Sequence, residues 1–282
     1  MIVAVASGKG GTGKTLIATN LFALLTKEAH KANLADCDAE EPNSLLFFKP
    51  TKESVSEVKQ MMPIFNPEEC AYCGKCEEYC NYNAIFLLPE KRIFRLIEDL
   101  CHGCGACTYA CEFSALKESD ISLGVVSTYR FNSGSKVIEG RLRVGALTPV
   151  PVIKETIKAS LDSEIVILDA PPGTSCPFIH TISKADYVLL VTEPTPFGLN
   201  DLKLSIQIVR QMGKPFSVII NRAGLGSDDV YKYLKKEKIK ISMELQFDKE
   251  IAMIYSSGKL VIESRADIYQ KFSKLSELII HN

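Results

Sequence analysis

The sequence predicts an α/β protein, a doubly wound and mostly parallel sheet interrupted by a small cysteine-rich module. Three observations carry this reading. Short β-branched runs at 2–6, 33–37, 164–169, 186–192 and 216–221 alternate with helical patterns, the signature of stacked βαβ units. Several runs, such as Ile165-Val166-Ile167-Leu168, are continuously apolar, as a strand buried on both faces of a parallel sheet requires. Ten cysteines occur in 282 residues, and eight of them lie between Cys70 and Cys111. The expected division is an α/β domain over 1–62 and 121–282 with an insert over 63–120. A composition of 46% hydrophobic and 24% charged residues excludes wholesale disorder. The net charge of -1 gives no footprint for nucleic acid or an acidic membrane.

The first run, Ile2-Val3-Ala4-Val5-Ala6, enters a glycine-rich loop, Gly8-Lys9-Gly10-Gly11-Thr12-Gly13-Lys14-Thr15. This fits G-x-x-x-x-G-K-[ST], and a helical pattern follows it (Leu16, Ile17, Leu21, Leu24, Leu25). The glycines let backbone N–H groups converge on phosphate oxygens. Lys14 can reach the β- and γ-phosphates, and the Thr15 hydroxyl can ligate Mg²⁺. Gly8, Gly10 and Gly13 also fit the dinucleotide motif G-x-G-x-x-G, with Asp36 where a ribose-binding acid would stand. The Lys14-Thr15 pair, the second cation at Lys9 and a later strand ending in Asp169 favour the phosphate loop. A carboxylate closing an apolar strand is costly unless paired or bound to a metal.

Because a strand begins at the second residue, no secretory leader with an apolar stretch of about 7–15 residues is expected there. No uncharged apolar run approaches the roughly 20 residues that cross a bilayer. The expected compartment is the reducing cytoplasm, with no stable membrane insertion, and there dense cysteines point to metal or redox chemistry.

The insert is acidic, with ten Asp/Glu against five Lys/Arg. It also repeats internally. Residues 70–85 align with 101–116 without a gap, so Cys70, Cys73, Gly74, Cys76, Cys80 and Ala84 coincide with Cys101, Cys104, Gly105, Cys107, Cys111 and Ala115. Each unit reads C-x2-C-x2-C-x3-C. Three cysteines at steps of three wrap one face of a cuboidal cluster, and the fourth points away to another. The alternative is zinc, but four-thiolate zinc sites use two separated C-x2-C knuckles. Few apolar residues remain to form a core here, so something else must hold the module together. Beyond it, 123–144 predicts a hairpin turning at Asn132-Ser133-Gly134. Cys37 and Cys176 are left over, and Cys176 is expected to be a small buried residue. The four histidines are scattered. The last helical pattern (Ile268, Phe272, Leu275, Leu278, Ile279) mixes charges of both signs and is expected to pack against the sheet.

Two resemblances extend these readings. Over about 1–62 and 121–282 the chain resembles the MinD/ParA family of P-loop ATPases, whose deviant Walker A loop reads K-G-G-x-G-K-[ST]. The resemblance implies that Lys9 reaches across a dimer interface to the partner's nucleotide. It implies that Asp38, in Asp36-Cys37-Asp38, orients the attacking water and helps hold Mg²⁺ with Thr15 and Asp169. Asn221-Arg222 matches the segment that contacts adenine. Over about 63–120 the chain resembles bacterial two-cluster ferredoxins. By that pattern Cys70, Cys73, Cys76 and Cys111 ligate one 4Fe–4S cluster, and Cys101, Cys104, Cys107 and Cys80 ligate the other. The proline usual after the fourth cysteine is replaced by Asn81 and Glu112. Neither the bridging cysteine pair of the nitrogenase iron protein nor the late C-x-x-C of the iron–sulfur carriers is present.

The expected protein is therefore a Mg²⁺-dependent ATPase carrying two 4Fe–4S clusters. It is expected to form an ATP-dependent homodimer, or a heterodimer with a related ATPase, and to meet a protein redox or cluster-acceptor partner. Three roles compete: a factor for metallocluster assembly or delivery, an ATP-gated electron-transfer protein, and a positioning or partition ATPase. The first is preferred.

Overall fold

A computed structural model describes residues 1–131, 134–146 and 148–281, with the backbone alone at residue 99. The first part of the chain forms β1 (Ile2–Ala6), α1 (Lys14–Lys27), β2 (Ala32–Asp36) and β3 (Thr51–Phe65). The cysteine-rich part holds α2 (Lys75–Glu78), β4 (Ile85–Leu88), β5 (Ile93–Leu96) and α3 (Ala106–Ala110). Then come β6 (Leu116–Arg130), β7 (Lys136–Leu142), α4 (Val150–Ser160), β8 (Ile165–Asp169), α5 (Cys176–Ser183), β9 (Tyr187–Thr192) and α6 (Pro196–Gln211). The chain finishes with β10 (Phe216–Ala223), α7 (Asp229–Lys236), β11 (Ile241–Gln246), α8 (Lys249–Ser256), α9 (Val261–Ser264) and α10 (Ala266–Ile280).

Nine strands form one sheet in the order β11-β10-β9-β1-β8-β2-β7-β6-β3. Pairings of β1 with β8 and β9, of β2 with β7 and β8, and of β10 with β9 and β11 are all parallel. The central strands β2, β8 and β9 are buried at every residue, which explains the apolar runs of β8 and β9, while the buried Asn33 of β2 is satisfied by Ser160 O and Asp162 Oδ1. β3 is a strand the sequence reading did not pick out. Its first seven residues, Thr51 to Glu57, are all exposed, so their polar composition hid an edge strand. The expected hairpin strands are β6 and β7, neighbours in the sheet, while Asn132 and Ser133 of its turn lie outside the described residues.

The chain divides into two compact units: residues 1–56, 126–141 and 152–282, and residues 57–125 and 142–151. The core of the first is built by α1 and α10 with the sheet. Phe22 and Phe272 are fully buried, and Phe22 meets Phe48 edge-on at 5.2 Å between ring centroids. Ile268, Phe272, Leu275 and Ile279 of α10 lie in this core, so the apolar stripe of the last helix is spent on packing. Among the described residues no helix is long and apolar enough to cross a membrane.

In the second unit the 31-residue sequence repeat is also a backbone repeat. The Asn66 amide donates to Ala115 O at 2.8 Å, and the Ile97 amide, 31 positions on, donates to Ala84 O at 2.7 Å. Each half therefore closes on the other half. Left-handed residues recur in the same register: Tyr72 with Gly103, Gly74 with Gly105, and Asn83 with Ser114. The short helices α2 and α3 start from Gly74 (φ 84°) and Gly105 (φ 74°). A side chain at such angles costs about 1–2 kcal/mol, which favours glycine.

Candidate functional site

The phosphate loop leaves the C-terminal end of β1, and the other site residues leave the ends of β2, β8, β9 and β10 around it. Gly13 caps α1 in the left-handed conformation (φ 99°), with Asn221 tight against it; a Cβ there would stand 2.4 Å from Asn221 Nδ2. That amide donates to Thr12 O at 2.8 Å, which ties the end of β10 to the loop. Gly8 is glycine for a different reason, since its Cβ would meet Asp201 O at 2.5 Å.

Lys14 is buried, with Asp169, Asp38 and Asp36 around it. Burial lowers its pKa, and the three carboxylates oppose that shift. Asp36 and Asp169 are register partners on adjacent strands, both about 1% exposed. Burial, then the charge of Asp169, pushes Asp36 up to about 8. Asp169 is likewise raised, chiefly by burial. Asp36 also organises the segment after β2. Its Oδ2 accepts the amides of Asn43 (2.9 Å) and Ser44 (2.8 Å), and its Oδ1 accepts that of Asp38 (3.1 Å). The Ser44 hydroxyl donates to Asp169 Oδ2 at 3.1 Å. Asp38 is half-buried and pushed up to about 6 by burial, against the pull of Lys14.

Three carboxylates share one ammonium group here. Asp169 Oδ1 and Thr12 Oγ1 are buried with no hydrogen-bond partner, two of three such side-chain atoms among the described residues. An unpaired carboxylate oxygen in an acidic pocket is the environment a divalent cation compensates. The donor set, Thr15 with Asp169 and Asp38, fits Mg²⁺. Beside the loop lies a cavity of about 270 Å³, walled by Asn221, Arg222, Phe247, Ile251 and Tyr255, with room for a base and ribose.

Every nucleotide-site residue expected from the sequence is thus gathered here: Gly8 to Thr15, Asp38, Asp169, Asn221 and Arg222. Four others stand beside them: Ser44 and Tyr255 were missed, while Asp36 and Glu193 were noticed in the sequence without a role of their own. Asp36 was read as half of an acidic pair whose role lay at Asp38. Ser44 carried no signal. Tyr255, pushed up to about 12 mainly by burial, is stacked on Phe47 at 4.9 Å. Glu193 directly follows the apolar strand β9 and opens the loop Glu193-Pro194-Thr195-Pro196-Phe197-Gly198, which resembles the family's but by itself reads only as a Pro-rich strand exit. Its Oε1 pairs with Lys9 Nζ at 2.5 Å and its Oε2 with Arg222 Nη1 at 2.8 Å. Burial alone would raise the Glu193 carboxyl, but Lys9 and Arg222 hold it below the usual range.

The cysteines of the second unit surround two cavities. One is lined by Cys70, Cys73, Cys76 and Cys111 with Phe65, Phe94 and Leu116. The other is lined by Cys80, Cys101, Cys104 and Cys107. The fourth cysteine of each run lies in the other run's cavity. The Tyr72 amide donates to Cys70 Sγ and the Ala84 amide to Cys80 Sγ, both at 3.3 Å, contacts that stabilise thiolates. Four thiolates on one zinc stand within about 4 Å of each other, and no group that tight occurs among the described residues. The donor chemistry, four cysteines about each space, fits an iron–sulfur cuboid.

Cys37 is fully buried, its thiol pushed well above its ordinary value by burial and then by Asp36. Cys176 corrects the expectation of burial: it is exposed. It opens α5 just after the N-cap position Ser175, and the side chain this first turn sends into the core is Phe178 instead.

A parallel sheet with a lysine-bearing phosphate loop and acids at two strand ends defines a P-loop nucleotide-binding protein. The model of the CobQ/CobB/MinD/ParA nucleotide-binding domain matches residues 3–261, and the chain belongs to that family. An uncharacterized protein of Methanocaldococcus jannaschii is 34% identical over 264 residues, 92% of this chain and 90% of that one. The iron-sulfur cluster carrier protein of Pyrococcus horikoshii is 22% identical over 222 residues, covering 77% of this chain and 60% of its own. A polyferredoxin of Methanothermus fervidus is 39% identical over 62 residues, 22% of this chain and 14% of its own. The cell division ATPase MinD of Pyrococcus furiosus has the same fold, with a TM-score of 0.60 at 17% identity over 99% of this chain and 98% of that chain.

Proposed function

We propose that this chain is a Mg²⁺-dependent ATPase whose second unit is a ferredoxin-type domain with two 4Fe–4S clusters, and that it serves metallocluster assembly or delivery. The observation that carries the reading is the crossed grouping of eight cysteines into two cavities in a chain that also holds a complete phosphate-loop site. The carrier and polyferredoxin relatives support it.

The residues divide the work as follows. Amides of the loop from Gly8 to Thr15 and the Lys14 ammonium bind and orient the phosphates and offset charge that develops on them. Thr15, Asp169 and Asp38 would hold Mg²⁺, which supplies further charge neutralisation at the phosphates. Asp38 positions the attacking water. Asn221 and Arg222 wall the base, and Lys9 acts on the nucleotide of a second protomer. Cys70, Cys73, Cys76 and Cys111 would hold one cluster, and Cys80, Cys101, Cys104 and Cys107 the other; bound clusters supply one-electron chemistry. The chain leaves the first unit within β3 and re-enters it within β6. β3 follows the loop that Asp36 organises, so nucleotide state and cluster access are linked through the chain.

The test is anaerobic purification with iron counting, then EPR with and without Mg-ATP. About eight irons per chain and a nucleotide-sensitive reduced signal are expected. Iron-free protein after oxygen-free handling would overturn the cluster assignment. Labelled iron appearing in an apo-protein acceptor supports delivery. ATP-dependent reduction of an acceptor with all iron retained would instead assign electron transfer. Lys9→Ala is expected to abolish ATP-dependent dimerisation.

A further inference from the structure

We propose that Glu193 is a positioning residue of the nucleotide site, a single carboxylate that holds Lys9 within its own chain until a second protomer's nucleotide competes for it. The inference rests on the trans role of Lys9 stated above.

The carboxylate is held in a built setting. Glu193 is 10% exposed at its side chain, and Lys9 is 29% exposed. The loop that carries it is locked by close approaches. A Cβ on Gly198 would stand 2.3 Å from Glu193 O, and one on Gly226 would stand 1.9 Å from Pro194 O. The Thr195 hydroxyl accepts the Gly198 amide at 3.0 Å and caps α6. Glu193 is therefore fixed, and the flexible partner is Lys9.

Two cations share this one carboxylate, and the sharing decides what Lys9 can do. Breaking a pair with a buried acid normally strands an uncompensated charge. Here Arg222 stays on Glu193 Oε2 when Lys9 departs, so the acid keeps a counter-charge. Arg222 is itself anchored: it follows Asn221 in the left-handed conformation (φ 53°) and its amide donates to Asn221 Oδ1 at 2.9 Å. The arrangement keeps Lys9 withdrawn but cheap to release. Arg222 also walls the base cavity, so the acid that restrains Lys9 is joined to the part of the site that senses the base.

A half-exposed ion pair is worth a factor of about three in an equilibrium constant. A symmetric dimer must release two Lys9 side chains, so removing the restraint is expected to strengthen dimerisation about tenfold. The experiment measures dimer fraction by sedimentation in the full chain against a non-hydrolysable ATP analogue with Mg²⁺. It compares wild type, E193Q, E193D and K9A. E193Q keeps the shape and removes the charge, so it should dimerise at the lower analogue concentration. E193D keeps the charge one methylene back and should fall between E193Q and wild type. In parallel, amine acylation without nucleotide, read by mass spectrometry, should label Lys9 several-fold faster in E193Q. An E193Q threshold equal to or above wild type, with K9A monomeric, overturns the proposal, because Glu193 would then assist the dimer rather than restrain Lys9. Unchanged Lys9 labelling in both Glu193 variants overturns it as well. A K9A protein that still dimerises sinks the trans-lysine reading instead, and the labelling result then decides the restraint by itself.

Discussion

Binding of Mg-ATP should release a proton at neutral pH, and Asp36 is the reason. Asp36 and Asp169 lie side by side in the sheet, fully buried, and burial together with their mutual repulsion holds Asp36 up to about 8. A group with that pKa is about 0.9 protonated at pH 7 and about 0.1 protonated at pH 9. A divalent cation at Asp169 favours the ionised carboxylates, so the bound form carries fewer protons. About one proton should therefore leave per nucleotide at pH 7 and about 0.1 at pH 9. The sign follows: apparent affinity for Mg-ATP rises by about tenfold per pH unit below pH 8 and flattens above it. Isothermal titration calorimetry with preformed Mg-ATP, in two buffers of different ionisation enthalpy, reads the proton number directly. Asp36→Asn removes the titrating group and should bring the release at pH 7 close to zero. Zero proton exchange in wild type at pH 7, or an equal release from the D36N protein, would refute the reasoning.

Asn221→Ala removes the tie to Thr12 O and leaves a buried carbonyl unpaired, so nucleotide affinity measured by fluorescence titration should drop about tenfold, with iron content unchanged. The cavity grouping predicts non-additivity among cysteines: C70S/C111S should lose no more iron than C111S alone, whereas C101S/C111S should lose both sets, counted by iron assay. Without nucleotide, the raised carboxyls of Asp36, Asp38 and Asp169 bind more protons folded than unfolded. Thermal stability should then fall as pH rises from about 4 toward 8, and a melting series that climbs steadily across this window would contradict it. Chelating the proposed iron should open residues 66–115 to limited proteolysis while nucleotide binding persists.

How legible each feature was depended on how local its physics is. The phosphate loop could be read because consecutive glycines, Lys14 and Thr15 meet a phosphate without help from elsewhere. Asp169 could be read because an acid at the end of an apolar strand has a cost that demands a partner. Asp36 was seen but misjudged: its three amide contacts come from the loop after it, and no sequence pattern reports how a loop folds back. Ser44 and Tyr255 depend on non-local approach, Tyr255 coming from a helix more than 200 residues after Phe47, its stacking partner. β3 escaped because its first seven residues are exposed and its one apolar stretch, Met61 to Phe65, is interrupted by Pro63. Cys176 was misread because burial was inferred from residue type, whereas its place at the start of α5 set its exposure.

The composition of the second unit bears on what its cavities are for. Its apolar cluster has three buried members, Ile85, Cys107 and Leu116, and of the six partly buried residues packed against them three are Cys76, Cys80 and Cys111. That cluster is small, so little hydrophobic stabilisation is available beside the two cavities. The two cysteine-lined spaces are gaps that the side chains alone leave unfilled, and unfilled space against apolar side chains forfeits packing contacts. The proposed clusters would remove both costs together, filling the spaces and cross-linking chain halves that sequence places 31 residues apart. With the proposed clusters bound, part of this unit's stability would be their binding free energy, and any step that strips a cluster would also have to supply the free energy of loosening the fold that held it.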